Sequence, residues 1–339
     1  MTGQRLLPGV RLHIVTGKGG TGKTTAAAAL ALALAADGRR TLLLEVEGRQ
    51  GIAQLFDIPP LPYEERRLAR AAGGGEVRGL AVDPEAALLE YLEMFYGMRR
   101  AGSALSRMGA IEFATTIAPG VRDVLLTGKA VEAVKRHEGG RPAFDAVVMD
   151  APPTGRIARF LNVNSEVAGI ARVGPIHGQA TSVMAVMRSP RTAVHLVTLL
   201  EEMPVQETLD GIAELTAAGL QVGAVLVNMD RPAVLGREHL AAAAAGRLDR
   251  AALARAVAVA DVVTARNSPS TSAVVDALLV EARDHAERVA LAEQERARLA
   301  TCGHPMVRLP LVAAGVDLRA LRNLAESLQV GGFGAGGPA

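Results

Sequence analysis

The nonapeptide Gly17-Lys18-Gly19-Gly20-Thr21-Gly22-Lys23-Thr24-Thr25 restricts this chain more than any other stretch. It satisfies GxxxxGK[ST] between a strand-like run, Leu12-His13-Ile14-Val15, and a helical run from Ala26 to Ala36. Strand, glycine loop and helix in that order make a phosphate cradle. The glycines let successive backbone N–H groups face an anion, and the helix N-terminus adds a partial positive charge. Lys23 is placed to reach β- and γ-phosphates, and Thr24 to offer its hydroxyl to Mg²⁺. Gly17, Gly19, Gly20, Thr21, Gly22, Lys23, Thr24 and Thr25 are therefore the expected binding loop for a nucleoside triphosphate.

The rest of the chain supplies an α/β frame for that loop. Gly38 ends the helix and Thr41 to Glu45 reads as a second buried strand, a βαβ start that implies a parallel sheet. The strand runs into Glu45-Val46-Glu47-Gly48-Arg49-Gln50-Gly51, at the end where open α/β sheets collect ligands. Glu47 is either a solvated loop carboxylate or a ligand-facing one. Pro59 to Pro62 and the glycine-rich Leu68 to Gly75 read as a surface excursion. Gly79 to Val82 is a short strand. Asp83-Pro84-Glu85 opens a helix to about Tyr96, with the aspartate as N-cap and proline in the first turn. A further helix runs from Ala118 to about His137.

Ala143 to Asp150 is a buried strand ending in an aspartate, followed by Ala151-Pro152-Pro153-Thr154-Gly155-Arg156. Asp150 is thus placed to hold the water shell of Mg²⁺, and the turn containing Pro153, Thr154 and Gly155 to sense a γ-phosphate. From Asn162 to Arg191 glycines and prolines interrupt short apolar pieces. Two more strands, Val194 to Leu199 and Val222 to Asn228, flank a helix from Pro204 to Gly219. Asn228 carries the donor and acceptor that an adenine edge needs, or forms a turn. Leu235 to Asp261 and Ser272 to about Ala300 read as helices, Val307 to Leu311 as a strand and Asp317 to Leu328 as an amphipathic helix. Gly331 to Ala339 reads as a disordered tail. The expected fold is a doubly wound, mostly parallel α/β P-loop domain over residues 1–330. A helical subdomain is expected from about 86–137 and 162–192.

Composition narrows the partners. The 339 residues carry a formal charge of +2 and 3% aromatic residues with no tryptophan, so neither a basic footprint nor a stacking platform for nucleic acid is evident. No nucleic-acid partner is expected. Lysine occurs only at Lys18, Lys23, Lys129 and Lys135, two of them in the P-loop. The single cysteine, Cys302, forms no internal disulfide, and with His304 it does not make a zinc site. Met1 to Pro8 has no apolar core of a signal peptide, and no run is long and apolar enough to span a bilayer. A cytoplasmic protein is expected, free or peripheral to a membrane through a partner. Met94, Met98, Met184 and Met187 mark where an apolar client surface is sought, with core packing as the alternative reading.

Lys18, directly after the first glycine, resembles the signature lysine of the deviant Walker A ATPases. The order of pieces resembles the arsenite-pump and tail-anchored-protein-targeting ATPases over nearly the whole chain. The matching pieces are Asp83 to Leu88 before a helix, Pro119-Gly120-Val121, Asp150 to Gly155, Val197 to Thr208, the strand ending in Asn228 and Leu309-Pro310-Leu311. The resemblance implies a Mg²⁺-dependent ATPase, dimeric across nucleotide. In it Lys18 contacts the partner's phosphates, Thr24 ligates Mg²⁺ with Asp150 behind it, and Asn228 with the backbone near Leu309 and Pro310 holds adenine. Where the family has Thr-Asp-Pro-Ala-His, with the aspartate orienting the attacking water, this chain has Val46-Glu47-Gly48-Arg49-Gln50. Glu47 keeps a carboxylate one methylene longer, so hydrolysis remains available at altered geometry. The zinc cysteines of the eukaryotic targeting ATPases and the thiolates of the arsenite pump are absent. The resemblance therefore implies an ATP-hydrolysing switch, as a homodimer or as a heterodimer with a related ATPase, acting on a protein or membrane-protein client. The alternatives are a catalytically weak nucleotide-binding subunit and a surface-patterning partition-type ATPase.

Overall fold

Residues 6–96, 119–170, 175–260 and 270–334 are described by a computed structural model. Eight strands build the main sheet: β1 (Leu12–Gly17), β2 (Arg40–Glu45), β3 (Arg66–Arg70), β4 (Glu76–Ala81), β5 (Ala146–Asp150), β6 (Thr192–Thr198), β7 (Val222–Asp230) and β8 (Met306–Pro310). Their order is β8-β7-β6-β1-β5-β2-β4-β3, parallel throughout except for β3, which runs antiparallel to β4 at the edge. Every residue of β1, β5 and β6 is buried. Continuous apolar runs of this kind are what a parallel sheet covered on both faces requires.

The helices are α1 (Lys23–Leu34), α2 (Gly51–Leu55), α3 (Pro84–Tyr96), α4 (Pro119–Lys135), α5 (Thr154–Ile170), α6 (Pro175–Met187), α7 (Glu202–Ala217), α8 (Arg237–Ala244), α9 (Arg250–Val259), α10 (Thr271–Ala300) and α11 (Leu318–Val330). Ala26 to Ala33 of α1 are all buried. Their small side chains let the helix sit close to the sheet on one side and receive Leu321, Leu324 and Leu328 of α11 on the other. The leucines of α11 make the packed face that their spacing predicts, and each contributes roughly 1.5–3 kcal/mol on burial.

Several sequence expectations are corrected. Leu68 to Arg70, read as part of an excursion, belong to the edge strand β3 (Arg66–Arg70). The helix expected to about His137 ends at Lys135, close to that bound, and the unexpected feature is the pairing of His137–Glu138 with Arg141–Pro142. The weakly patterned stretch from Asn162 to Arg191 is largely helical, in α5 and α6. The alanine-rich helix is two helices broken at Gly246, and Asp249 caps the second through the Ala251 and Ala252 N–H groups. Gly331 to Gly334 are packed rather than disordered: Phe333 is buried, its N–H donates to the Leu328 carbonyl, and the Gly332 carbonyl accepts from Leu6 N–H. Residues 335–339 lie outside the described residues.

Phe333 stands edge-on to two stacked, buried histidines, His13 of β1 and His195 of β6. Ala224 N–H donates to His195 Nδ1, so the proton of His195 sits on Nε2 and donates to His13 Nδ1 at 3.0 Å. Burial holds both neutral, His13 down to about 4 and His195 well below its ordinary value.

By its packing the chain divides into two compact units. One comprises Met1–Leu199, Met203–Asp230 and Cys302–Ala339, with the whole sheet; the other comprises Leu200–Glu202 and Arg231–Thr301. The helices from about 86–137 and 162–192 pack on each other within the first unit, α4 against α3, α5 and α6. Met184 and Met187 are buried there and form no surface, while the side chains of Met94 and Met98 lie outside the described residues. The second unit is helical, α8 and α9 packing on α10. Among the described residues no helix is long and apolar enough to cross a membrane.

Candidate active site

The sheet order brings three strand ends together. β1 lies between β6 and β5, and β5 pairs with β2, so Val15 stands beside Asp150 and Asp150 beside Glu45. The chain leaves β1 at Gly17 and returns as α1 at Lys23, wrapping the P-loop over these ends. A Cβ on Gly17 would collide with the Val197 carbonyl of β6, so only glycine lets the loop start there. Gly22 caps α1 at φ 83°, and a Cβ there would strike the Asn228 amide. The loop is braced from inside: Thr21 Oγ1 donates to the Lys18 carbonyl at 2.8 Å, and Asn228 Nδ2 to the Thr21 carbonyl at 2.8 Å.

A cavity of about 270 Å³ lies over the loop. Gly20, Gly22, Lys23, Thr24 and Thr25 of the loop line it together with Glu45, Glu47, Arg49, Gly51 and Asp150. Thr24 Oγ1 donates to Asp150 Oδ2 at 2.6 Å. The second oxygen, Oδ1, is buried with no hydrogen-bond partner among the described residues. Burial first, then the nearby carboxylates Glu45 and Glu47, push Asp150 up to about 6, against the pull of the Thr24 bond and the Lys23 charge. A threonine hydroxyl beside a carboxylate with an orphaned oxygen suits hydrated Mg²⁺, an oxygen-seeking ion that keeps several of its waters. The residues present therefore fit the metal.

Residues 10–189 match the anion-transporting ATPase family. The chain is also 53% identical over 323 residues to the ATPase BagA of Mycobacterium tuberculosis, an alignment covering 95% of this chain and 93% of that one. This chain belongs to the anion-transporting ATPase family. More distant likeness reaches the arsenical pump-driving ATPase of Escherichia coli, 27% identical over 301 residues, 82% of this chain and 50% of that protein. The ATPase GET3 of Kluyveromyces lactis is 28% identical over 181 residues, 49% and 51% of the two chains. The expected family, the parallel α/β fold and the ATPase class are borne out.

Within this anion-transporting ATPase fold the expected site residues separate into groups. Gly20, Gly22, Lys23, Thr24, Thr25, Glu47 and Asp150 share the cavity. Gly17, Gly19, Lys18 and Thr21 belong to the same loop but do not line it. Asn228 has its amide donor committed to the P-loop backbone, and Leu309 and Pro310 lie on β8 beside the end of β7, Leu309 in the core. Thr154 and Gly155 form the first turn of α5 rather than an open turn, and Pro153 just precedes it. Thr154 Oγ1 is buried without a partner among the described residues, and the Pro152 carbonyl accepts from Thr16 Oγ1 at 2.6 Å.

Three residues of the site, Glu207, Glu45 and Arg49, were given no role of their own by the sequence. Lys18 Nζ is paired with Glu207 Oε1 of α7 in its own chain at 2.6 Å, a contact spanning 189 positions that no local pattern announces. Glu45, read only as the end of a strand, accepts N–H bonds from Gly51 at 3.3 Å and Ile52 at 3.1 Å and so anchors α2 beside the cavity. Arg49 lines the cavity and pairs with Glu47 at 3.8 Å. Its position two residues after Glu47, past the end of a parallel strand, was the available signal.

Proposed function

We propose that this ATPase is a Mg²⁺-dependent switch whose nucleotide state gates the association of two chains carrying a protein or membrane-protein client. The observation that carries the reading is the Thr24–Asp150 pair with its orphaned Oδ1, lining one cavity with Lys23 and Glu47. Mg²⁺, when bound, neutralises charge on the β- and γ-phosphates. Lys23 holds the same phosphates, Asp150 and Thr24 fix the metal's place, and Glu47 orients the attacking water. Asn228 stiffens the loop from below and, with the backbone near Leu309 and Pro310, holds adenine. Lys18 stands on the loop but outside the cavity lining, which suits a cation that serves the nucleotide of a neighbouring chain.

Lys23→Ala and Lys18→Ala test this on the full chain. Both variants are expected to lose ATP turnover, and Lys18→Ala to retain most ATP binding by calorimetry. Turnover unchanged in Lys18→Ala would refute the cross-chain role.

A heterodimer with a related ATPase is the second reading. It is favoured by Glu47, which replaces the family's aspartate and is engaged by Arg49. Native mass measurement of the co-purified complex decides it: a fully active homodimer counts against this form.

A further inference from the structure

The cavity contains a cation that the P-loop does not account for. Three carboxylates line it, Glu45, Glu47 and Asp150, against two cationic side chains, Lys23 and Arg49. Lys18 is outside the lining and held by Glu207. A triphosphate adds negative charge to a wall that is already acidic, so every cation within reach of the γ-phosphate counts. Arg49 is the one whose side chain is free to move there. It is 74% exposed, and its ion pair with Glu47 is 3.8 Å long, beyond hydrogen-bond length.

The backbone that follows Arg49 is by contrast fixed. Glu45 ties down Gly51 and Ile52. Gln50, at φ 57°, clamps Leu61 with both ends of its amide, accepting from the Leu61 N–H at 2.7 Å and donating to the Leu61 carbonyl at 3.1 Å. A long, loosely held guanidinium therefore stands directly before a fixed helix start at the edge of a phosphate site. Its planar fork of donors matches phosphate oxygens in a way an ammonium does not.

We propose that Arg49 is a catalytic residue of ATP hydrolysis in this chain: with nucleotide bound, its guanidinium leaves Glu47 and binds γ-phosphate oxygens, an arginine finger supplied by the same chain. This rests on the hydrolytic reading of the cavity given above. Water oxygen bonds to the γ-phosphorus as the bond from that phosphorus to the β–γ bridging oxygen breaks, the electron pair leaving with ADP. One water proton stays on inorganic phosphate and the other passes through Glu47 to solvent. Arg49 meets the charge on the γ-phosphoryl oxygens during transfer, and its departure leaves the Glu47 carboxylate free to aim the water.

Arg49→Ala and Arg49→Lys test this in the full chain, with Lys23→Ala as the reference variant. In Arg49→Ala, kcat is expected to fall about 100-fold or more while ATP affinity stays within about fivefold, as for the loss of a group that acts on the transition state. Trapping of ADP with aluminium fluoride should be lost, and added guanidinium should restore part of the turnover. Arg49→Lys should recover less than about tenfold of the loss. Because the side chain is exposed, unfolding temperatures should match the wild type. With Lys23→Ala inactive, a kcat for Arg49→Ala within about threefold of wild type, or above it, overturns the assignment. Full turnover in Lys23→Ala itself would instead overturn the hydrolytic reading of the cavity, and the assignment with it.

Discussion

Replacing Asp150 with asparagine is expected to stabilise the nucleotide-free chain at neutral pH and to abolish its ATP turnover. Asp150 is 8% exposed, and its carboxyl is pushed from an ordinary 3.8 to about 6. A rise of about two pKa units corresponds to roughly 3 kcal/mol of native-state cost for the ionised form. The sign follows from which state holds the proton. Below about pH 4 both folded and unfolded chains are protonated at this site and the cost is absent. As pH rises toward 6 the unfolded chain releases its proton first, so stability falls, and above about pH 6 the whole cost is present. Asparagine carries no charge, and its amide oxygen can still accept from Thr24 Oγ1.

Urea unfolding of both chains without nucleotide or metal, from pH 4.5 to 8, reads this out. The variant should be about 1 kcal/mol more stable at pH 4.5, gain most of the remaining difference by pH 6 and be roughly 2–3 kcal/mol more stable at pH 8. The buried His13–His195 pair acts in the opposite sense, contributing stability above about pH 6.5 that is lost as pH falls toward 4. That contribution is common to both chains and cancels in the difference. Mg²⁺ with ATP should narrow or reverse the difference by binding the wild-type native state more tightly. A difference that does not vary with pH, or a variant less stable at pH 8, would refute the argument that the empty site carries a costly carboxylate.

Two further changes bear on the loop. Glu207→Gln frees Lys18 from a partly exposed pair worth at most about 1 kcal/mol, so ATP-analogue-dependent self-association should strengthen by up to about fivefold in sedimentation experiments. Weaker association would contradict a resting role for the pair. Gly22→Ala places a Cβ against Asn228 at φ 83°, and calorimetric ATP binding should vanish while far-ultraviolet circular dichroism is retained. Unaltered affinity in that variant would mean the loop tolerates another shape.

The parts of the fold that were legible have causes within a few residues of themselves. The P-loop, the buried runs of β1, β2 and β5, the Asp83 cap and the leucines of α11 are local patterns, and each stands where its pattern predicts. The parts that were missed depend on partners far along the chain. Arg66–Arg70 is rich in arginine because it is an edge strand, and only its pairing with β4 makes it a strand at all. Gly169 and Gly178 lie inside α5 and α6, where tertiary packing outweighs the roughly 1 kcal/mol that glycine costs a helix. The glycine-rich end reads as disorder until Phe333 meets the two histidines. Gly246 and the Asp249 cap were local signals, and an alanine-rich composition hid them.

The active site divides along the same line. A phosphate cradle is encoded in nine consecutive residues, so it is readable without the fold. Its charge setting is produced by topology: β2 joins β5, placing Glu45 beside Asp150, and α7 delivers Glu207 to Lys18. The cavity wall is acidic for that reason, and the site holds one carboxylate raised to about 6 and one lysine paired outside the cavity lining. An acidic wall with an orphaned oxygen is poor at holding a bare anion and well suited to an anion that arrives with its metal. On the proposed function, the same arrangement that costs the nucleotide-free chain stability would favour the metal–nucleotide complex over nucleotide alone. ATP affinity should accordingly depend on Mg²⁺ in the wild type and lose most of that dependence in Asp150→Asn, which calorimetric titration with and without a chelator would measure. An equal response of both chains to the chelator would sever the link between the buried carboxylate and the metal.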